Sequence, residues 1–114
     1  MSFKDKRGII EDLLVNEDCS VTKITFKTGA IRGNHYHKKT LQVDICLRGE
    51  LTCAQDDYRL LMTPGNVFVH RPGVKHAYQA MKPSTILSIC IGKRKGENYE
   101  SDTYRLVKEH EKLL

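Results

Sequence analysis

The chain has 114 residues, 39% of them hydrophobic, with a net charge of +5 and four cysteines. That length suits one domain and excludes two independent cores, and the interspersed charge excludes a disordered chain. The basic balance alone does not identify a nucleic-acid binder: the densest cluster, Lys93-Arg94-Lys95, stands without a helix-turn-helix or aromatic-basic signature and reads as a solvated loop.

The N-terminus carries charge but no apolar leader, and no stretch approaches membrane-spanning length, so a cytoplasmic protein without a membrane partner is expected. Cys19, Cys46, Cys53 and Cys90 form no C-x-x-C pair and read as reduced thiols. Residues 9–14, IIEDLL, are open between a helical turn and an edge strand. VTKITFKT (21–28) alternates with period two, and LQVDICLR (41–48) does so more sharply. Short strands follow at ELTCA, YRLLM, NVFVH, KHAYQ and STILSICI, separated by turn signals at Thr63-Pro64-Gly65-Asn66 and Arg71-Pro72-Gly73. This pattern predicts an all-β sandwich or barrel. From Ser101, with Leu106, His110 and Leu113 at helical spacing, a short C-terminal helix is expected.

His35 and His37 flank one residue, so on a strand they point to the same face. A return strand can bring the Gln42 amide opposite them, and the turn at Pro72-Gly73 can bring back His76. Such a set suits a divalent metal, with an amide oxygen as a neutral, weaker ligand than a carboxylate. A lone histidine is more often a satisfied structural residue, so the case rests on the spacing among several. His70 and His110 are read as non-ligands at the surface.

The first motif runs Gly29, five residues, His35-Tyr36-His37, four residues, Gln42, six residues, Gly49. The second runs from Gly65 through Pro72-Gly73 to His76, with Ala80 beyond. Over about residues 20–92 these resemble the two motifs of the cupins. Gln42 stands in the place of the family's glutamate, Ala80 in that of its asparagine, and Arg71 where its proline would be. The resemblance implies one cupin barrel of jelly-roll type spanning residues 1–114. It carries His35, His37, Gln42 and His76 onto the family's metal ligands. It also implies one divalent ion (iron, manganese, nickel or zinc) and a homodimer. Replacing a carboxylate by an amide removes a negative charge, so weaker metal binding is expected.

The string Arg32-Gly33-Asn34-His35-Tyr36-His37-Lys38, with Gln42 after it, is similar to cupins of surface-polysaccharide and nucleotide-sugar pathways. That resemblance implies a small polar substrate, a sugar or nucleotide-sugar, and isomerisation or epimerisation. Asp44 or Tyr78 would move the proton, Arg32, Lys38 and Lys39 would meet phosphates, and Tyr36 would stack on the sugar. In a metal-free variant, as in sugar-nucleotide ketoisomerases, His35 and His37 would be the acid/base pair. His76 favours the metal version, because a metal-free site has no need of a third imidazole. An iron dioxygenase and a non-catalytic binding module are the rivals. With Gln42 inward, alternation sends Asp44, Cys46 and Arg48 inward too, and Leu41, Val43, Ile45 and Leu47 outward, beneath another layer or a second subunit.

Overall fold

The computed structural model describes residues 2–92, 99–108 and 112–114. Its strands are β1 (Ser2–Asp5), β2 (Gly8–Val15), β3 (Cys19–Phe26), β4 (Ile31–Tyr36), β5 (Leu41–Arg48) and β6 (Leu51–Gln55). They continue with β7 (Tyr58–Met62), β8 (Val67–His70), β9 (His76–Ala80), β10 (Ser84–Ile91) and β11 (Tyr104–Arg105). Two antiparallel sheets face each other as a jelly roll, one ordered β1-β2-β3-β10-β5-β8 and the other β11-β4-β9-β6-β7.

The IIEDLL segment is strand, lying within β2 and paired along β1. Residues from Ser101 do not make the expected helix among the described residues: a 3-10 turn (Tyr99–Asp102) leads into β11, which extends the edge of β4. The Asp102 carboxylate does cap backbone N–H groups, but those of Lys39 (2.7 Å), Thr40 (2.9 Å) and Lys38 (3.2 Å). The carboxylate is spent on a distant turn, and tertiary contact overrides helical spacing. His110 lies outside the described residues.

The space between the sheets is divided lengthwise. Along β5 the inward positions run Gln42, Asp44, Cys46, all buried; along β9 they run His76, Tyr78, Ala80. One end is an apolar core of Phe26, Cys46, Leu51, Cys53, Met62, Tyr78, Ala80 and Ile86. Burying Leu51, Met62 or Ile86 contributes about 2 kcal/mol apiece. Polar side chains occupy the same alternating positions at the other end. The inward row stops at Cys46, because a register shift at Thr85/Ile86 interrupts the ladder and Leu47 and Arg48 are exposed.

All four cysteines are free, and burial pushes the Cys53 thiol up to about 12, so it packs as a small apolar group. No described helix is long and apolar enough to cross a membrane.

Candidate metal centre and its cavity

His35 on β4 lies directly opposite His76 on β9, and His37 follows the end of β4. One ring nitrogen from each of the three lies within 4.8 Å of the others. Two of the rings are steered by a backbone partner. His76 Nδ1 faces the Val74 carbonyl at 3.2 Å, which puts the proton on Nδ1 and leaves Nε2 a lone pair, buried and without a partner. His37 Nδ1 donates to the Asp102 carbonyl at 2.9 Å, so its Nε2 also presents a lone pair. His35 Nδ1 is buried without a partner.

Gln42 completes the set. Its amide nitrogen donates to both Asp44 oxygens, at 2.9 and 3.1 Å, which turns its oxygen towards His37 Nε2 at 3.0 Å. Two acceptors facing each other at that distance need a metal ion or a proton between them. The convergent lone pairs, the orphaned His76 nitrogen and the oriented amide therefore fit a divalent ion of nitrogen and oxygen preference, and His35, His37 and His76 can form its site.

Asp44 is fully buried. Besides the Gln42 amide it accepts the Tyr78 hydroxyl at 2.6 Å, while His70 Nε2 lies 2.6 Å from that hydroxyl and 3.2 Å from the carboxylate. Gln55, whose amide nitrogen also donates to the Val69 carbonyl, donates to His70 Nδ1 at 3.0 Å, so the His70 proton sits on Nε2. Burial alone would raise the Asp44 carboxyl, but hydrogen bonds from His70, Ser88 and Tyr78 outweigh it and hold the group below its usual range. Burial and the Asp44 charge push the Tyr78 hydroxyl well above its ordinary value.

Asp44 does not line the cavity. Tyr78 lines the cavity, but its hydroxyl donates to Asp44, and it is Asp44 that holds the Gln42 amide. His70, expected at the surface, is 1% exposed and stacks on His76 with ring centroids 4.2 Å apart. It tolerates burial because both of its nitrogens are satisfied.

The three histidines and Gln42 line a cavity of about 450 Å³. Its other walls include Phe3, Ile10, Ile24 and Phe26, the hydroxyls of Thr22, Ser88 and Thr103, and three arginines, Arg7, Arg32 and Arg105. Strict alternation would put Arg32, three residues before His35, on the opposite face. A register shift between Gly33 and His35, with Asn34 at φ 55°, restores it to the inner face. The Gly33-Asn34 dipeptide is the sequence signal for that bulge. Lys38 and Tyr36 go elsewhere: Tyr36 stacks on Tyr104 at 5.4 Å and the Lys38 ammonium lies over the Tyr104 ring at 4.3 Å, while Lys39 is exposed. None of the three lines the cavity.

Burial first, and then the charge of His37, pulls His35 down from 6.5 to about 4; burial, His70 and His35 pull His76 down in the same direction. Folded-state values below the unfolded one mean that the unfolded chain binds more protons. Stability from these groups is fully present above about pH 6.5 and is lost as the pH falls towards about 4. Calorimetry of chelator-treated protein should show Tm dropping across that window; a flat Tm would contradict the buried neutral histidines.

The C-terminal segment closes the site. Asp102 supplies the carbonyl to His37, Leu106 N donates to the Asn34 carbonyl at 2.7 Å, and Leu113 N to Asn34 Oδ1 at 2.7 Å. Asp102→Ala would release the Lys38–Thr40 turn and is expected to cost about 1–2 kcal/mol in urea unfolding, by analogy with loss of a helix cap. An unchanged unfolding midpoint would show that the clasp is ornamental.

Comparison with curated protein sequences finds no match. Among solved structures, KdgF from Halomonas sp. superposes with a TM-score of 0.70 at 19% identity, covering 75% of this chain and 81% of that one. A sugar phosphate isomerase from a cupin superfamily, from Silicibacter pomeroyi, gives 0.65 at 20% identity, covering 73% and 58%. Oxalate decarboxylase from Bacillus subtilis gives 0.80 at 20% identity, covering 93% of this chain but 30% of that one. At these identities the likeness is one of fold. The family model described as Cupin domain matches residues 22–91, over half the chain, and with the jelly roll and the two motifs in place the chain belongs to the cupins.

Proposed function

We propose that this cupin is a metal-dependent isomerase or epimerase of a small, sugar-like carbonyl compound. The observation that carries the reading is the meeting of His37 Nε2 and Gln42 Oε1 at 3.0 Å, beside the orphaned His76 Nε2, on the wall of a polar cavity. His35, His37, His76 and Gln42 would hold iron, manganese, nickel or zinc. Such an ion, when bound, supplies Lewis-acid polarisation of a carbonyl oxygen.

The chain's own groups do the rest. Thr103 lines the cavity beside His37 and can offer its hydroxyl to a hydroxylated substrate, and Phe3, Ile10 and Phe26 exclude water from one side. Asp44, Tyr78 and His70 keep the amide oxygen of Gln42 facing the histidines. A metal-free reading has one observation in its favour: His35, held neutral by burial, has Nδ1 without a partner and could serve as the base beside His37.

The test is solvent exchange. Protein loaded in turn with each metal is incubated in D2O with keto-sugars and nucleotide-sugars, and deuterium at the carbon beside the carbonyl is read by NMR. Metal-dependent exchange supports the proposal, and exchange that survives chelation supports the His35/His37 pair. Oxygen uptake without exchange would mean a dioxygenase, and binding with neither would mean a binding module.

The proposed assembly is a homodimer. Cross-strand register puts Val67, Val69, Val43, Ile45, Leu87 and Ile89 on one outward face, an apolar surface continuous over β8, β5 and β10 that a second copy would cover. Light scattering after size exclusion would read a dimer mass, or a monomer mass against it. A cytoplasmic setting accords with the four free thiols.

A further inference from the structure

Arg32 is the anomaly of the cavity. It is 7% exposed, lines the cavity and lies over the Phe26 ring, with the guanidinium carbon 5.7 Å from the centroid. Its Nε and Nη2 are buried without a hydrogen-bond partner. Asp5 approaches Nη2 at 3.5 Å, near enough to offset charge but not placed to accept a hydrogen bond. The Asp5 carboxylate is already taken up by Arg7, through its backbone N at 2.8 Å, Nε at 2.9 Å and Nη2 at 2.7 Å. Nε and Nη2 of Arg32 thus receive a counter-charge at a distance and no hydrogen bond.

The two orphaned nitrogens are not a random pair. Nε and Nη2 form the side edge of the guanidinium, two parallel N–H donors whose spacing matches the two oxygens of a carboxylate. A buried charged donor left unbonded is costly, so such an edge is kept where a ligand completes it. Among the described residues lining the cavity there are three arginines and no Asp or Glu. Even with the Asp5 carboxylate beside Arg7 and Arg32 counted, the three arginines leave the cavity net positive, which favours an anion.

We infer that Arg32 is the recognition point for a carboxylate, and that the substrate is a small acid, a sugar acid or keto acid, held by its carboxylate at Arg32 with its other end towards the histidines. This rests on the proposed reading of the cavity as a substrate site and replaces the phosphate expected from the sequence. A phosphate asks for more donors than one planar edge. The cavity offers no lysine among its described lining residues, and Arg7 already has its own edge on Asp5. The bulge shortens the stretch between them: Arg32 and His35 pair with Tyr78 and His76, two residues apart on β9, about 7 Å along a strand. One monosaccharide-sized acid can span that distance.

The test reads the Arg32 Nε–H resonance of 15N-labelled protein, assigned by its loss in Arg32→Lys. Acetate, glucuronate, glucose and inorganic phosphate are titrated at constant ionic strength, with and without added zinc. Saturable shifts with acetate and glucuronate, none with glucose, and at least about tenfold weaker binding of phosphate are expected. Arg32→Lys, which keeps the charge and loses the edge, should weaken glucuronate at least about tenfold while leaving zinc content unchanged. No response to acetate or glucuronate, phosphate binding equal or tighter, or an unaffected lysine variant would overturn the assignment. None of these readings depends on turnover, so a failed deuterium exchange with an intact Arg32 response would remove the isomerase and leave the carboxylate site.

Discussion

Asp44→Asn should lower stability by about 3 kcal/mol and weaken metal binding by about 10- to 100-fold, although Asp44 touches neither cavity nor metal. The carboxylate is fully buried and faces only donors: the Gln42 amide, the Tyr78 and Ser88 hydroxyls and His70 Nε2. An asparagine of the same shape must turn an NH2 towards at least one of them, leaving a donor against a donor. If the Gln42 amide flips in response, its nitrogen replaces its oxygen opposite His37, and the proposed site would lose a ligand atom. Chemical denaturation gives the first effect and competition with a chelator the second. Wild-type metal affinity in a folded Asp44→Asn protein would contradict the role given to Asp44.

The same contact accounts for glutamine where the family motif has glutamate. A carboxylate at residue 42 would stand about 3 Å from the Asp44 carboxylate, and two like charges that close cannot both ionise readily. The negative charge expected to be missing is present one position further back. It acts on the site by polarising the amide whose N–H groups it accepts.

Gly33→Ala is expected to be the costliest small substitution in the site, about 3 kcal/mol or more, with loss of metal binding. Gly33 has φ 99°, and a Cβ there would meet the Ala77 Cα and the His76 carbonyl oxygen, each at 2.9 Å. Both are backbone atoms of β9, so relief requires β4 and β9 to part, and those strands carry His35 and His76 face to face. Thermal unfolding and metal content should therefore fall together. A variant that kept its Tm would show that the two strands have slack.

What the sequence made legible was local or periodic. Histidines two residues apart share a strand face wherever the strand lies, and alternation along β5 put Gln42, Asp44 and Cys46 on one side. His76 came from the motif spacing after Pro72-Gly73, and the structure sets it opposite His35. Misread or missed features depend on contacts between distant segments. The bulge at Asn34 changes the face of Arg32. Asp102, at the start of the segment expected to be a helix, caps a turn some sixty residues earlier. His70 is polar and buried because Gln55 and Tyr78, on two other strands, satisfy it. The wall built by Phe3 and Arg7 belongs to an N-terminal hairpin whose β1 half carried no alternating signal.

The measurement that tests the central claim most directly is the elemental content of the purified, untagged protein by inductively coupled plasma mass spectrometry, beside His76→Ala. Near-stoichiometric iron, manganese, nickel or zinc in the wild type, and its disappearance from a folded His76→Ala protein, is the predicted result. No metal in the wild type, even after reconstitution with each ion, would contradict the metal centre and leave His35 and His37 as an acid/base pair.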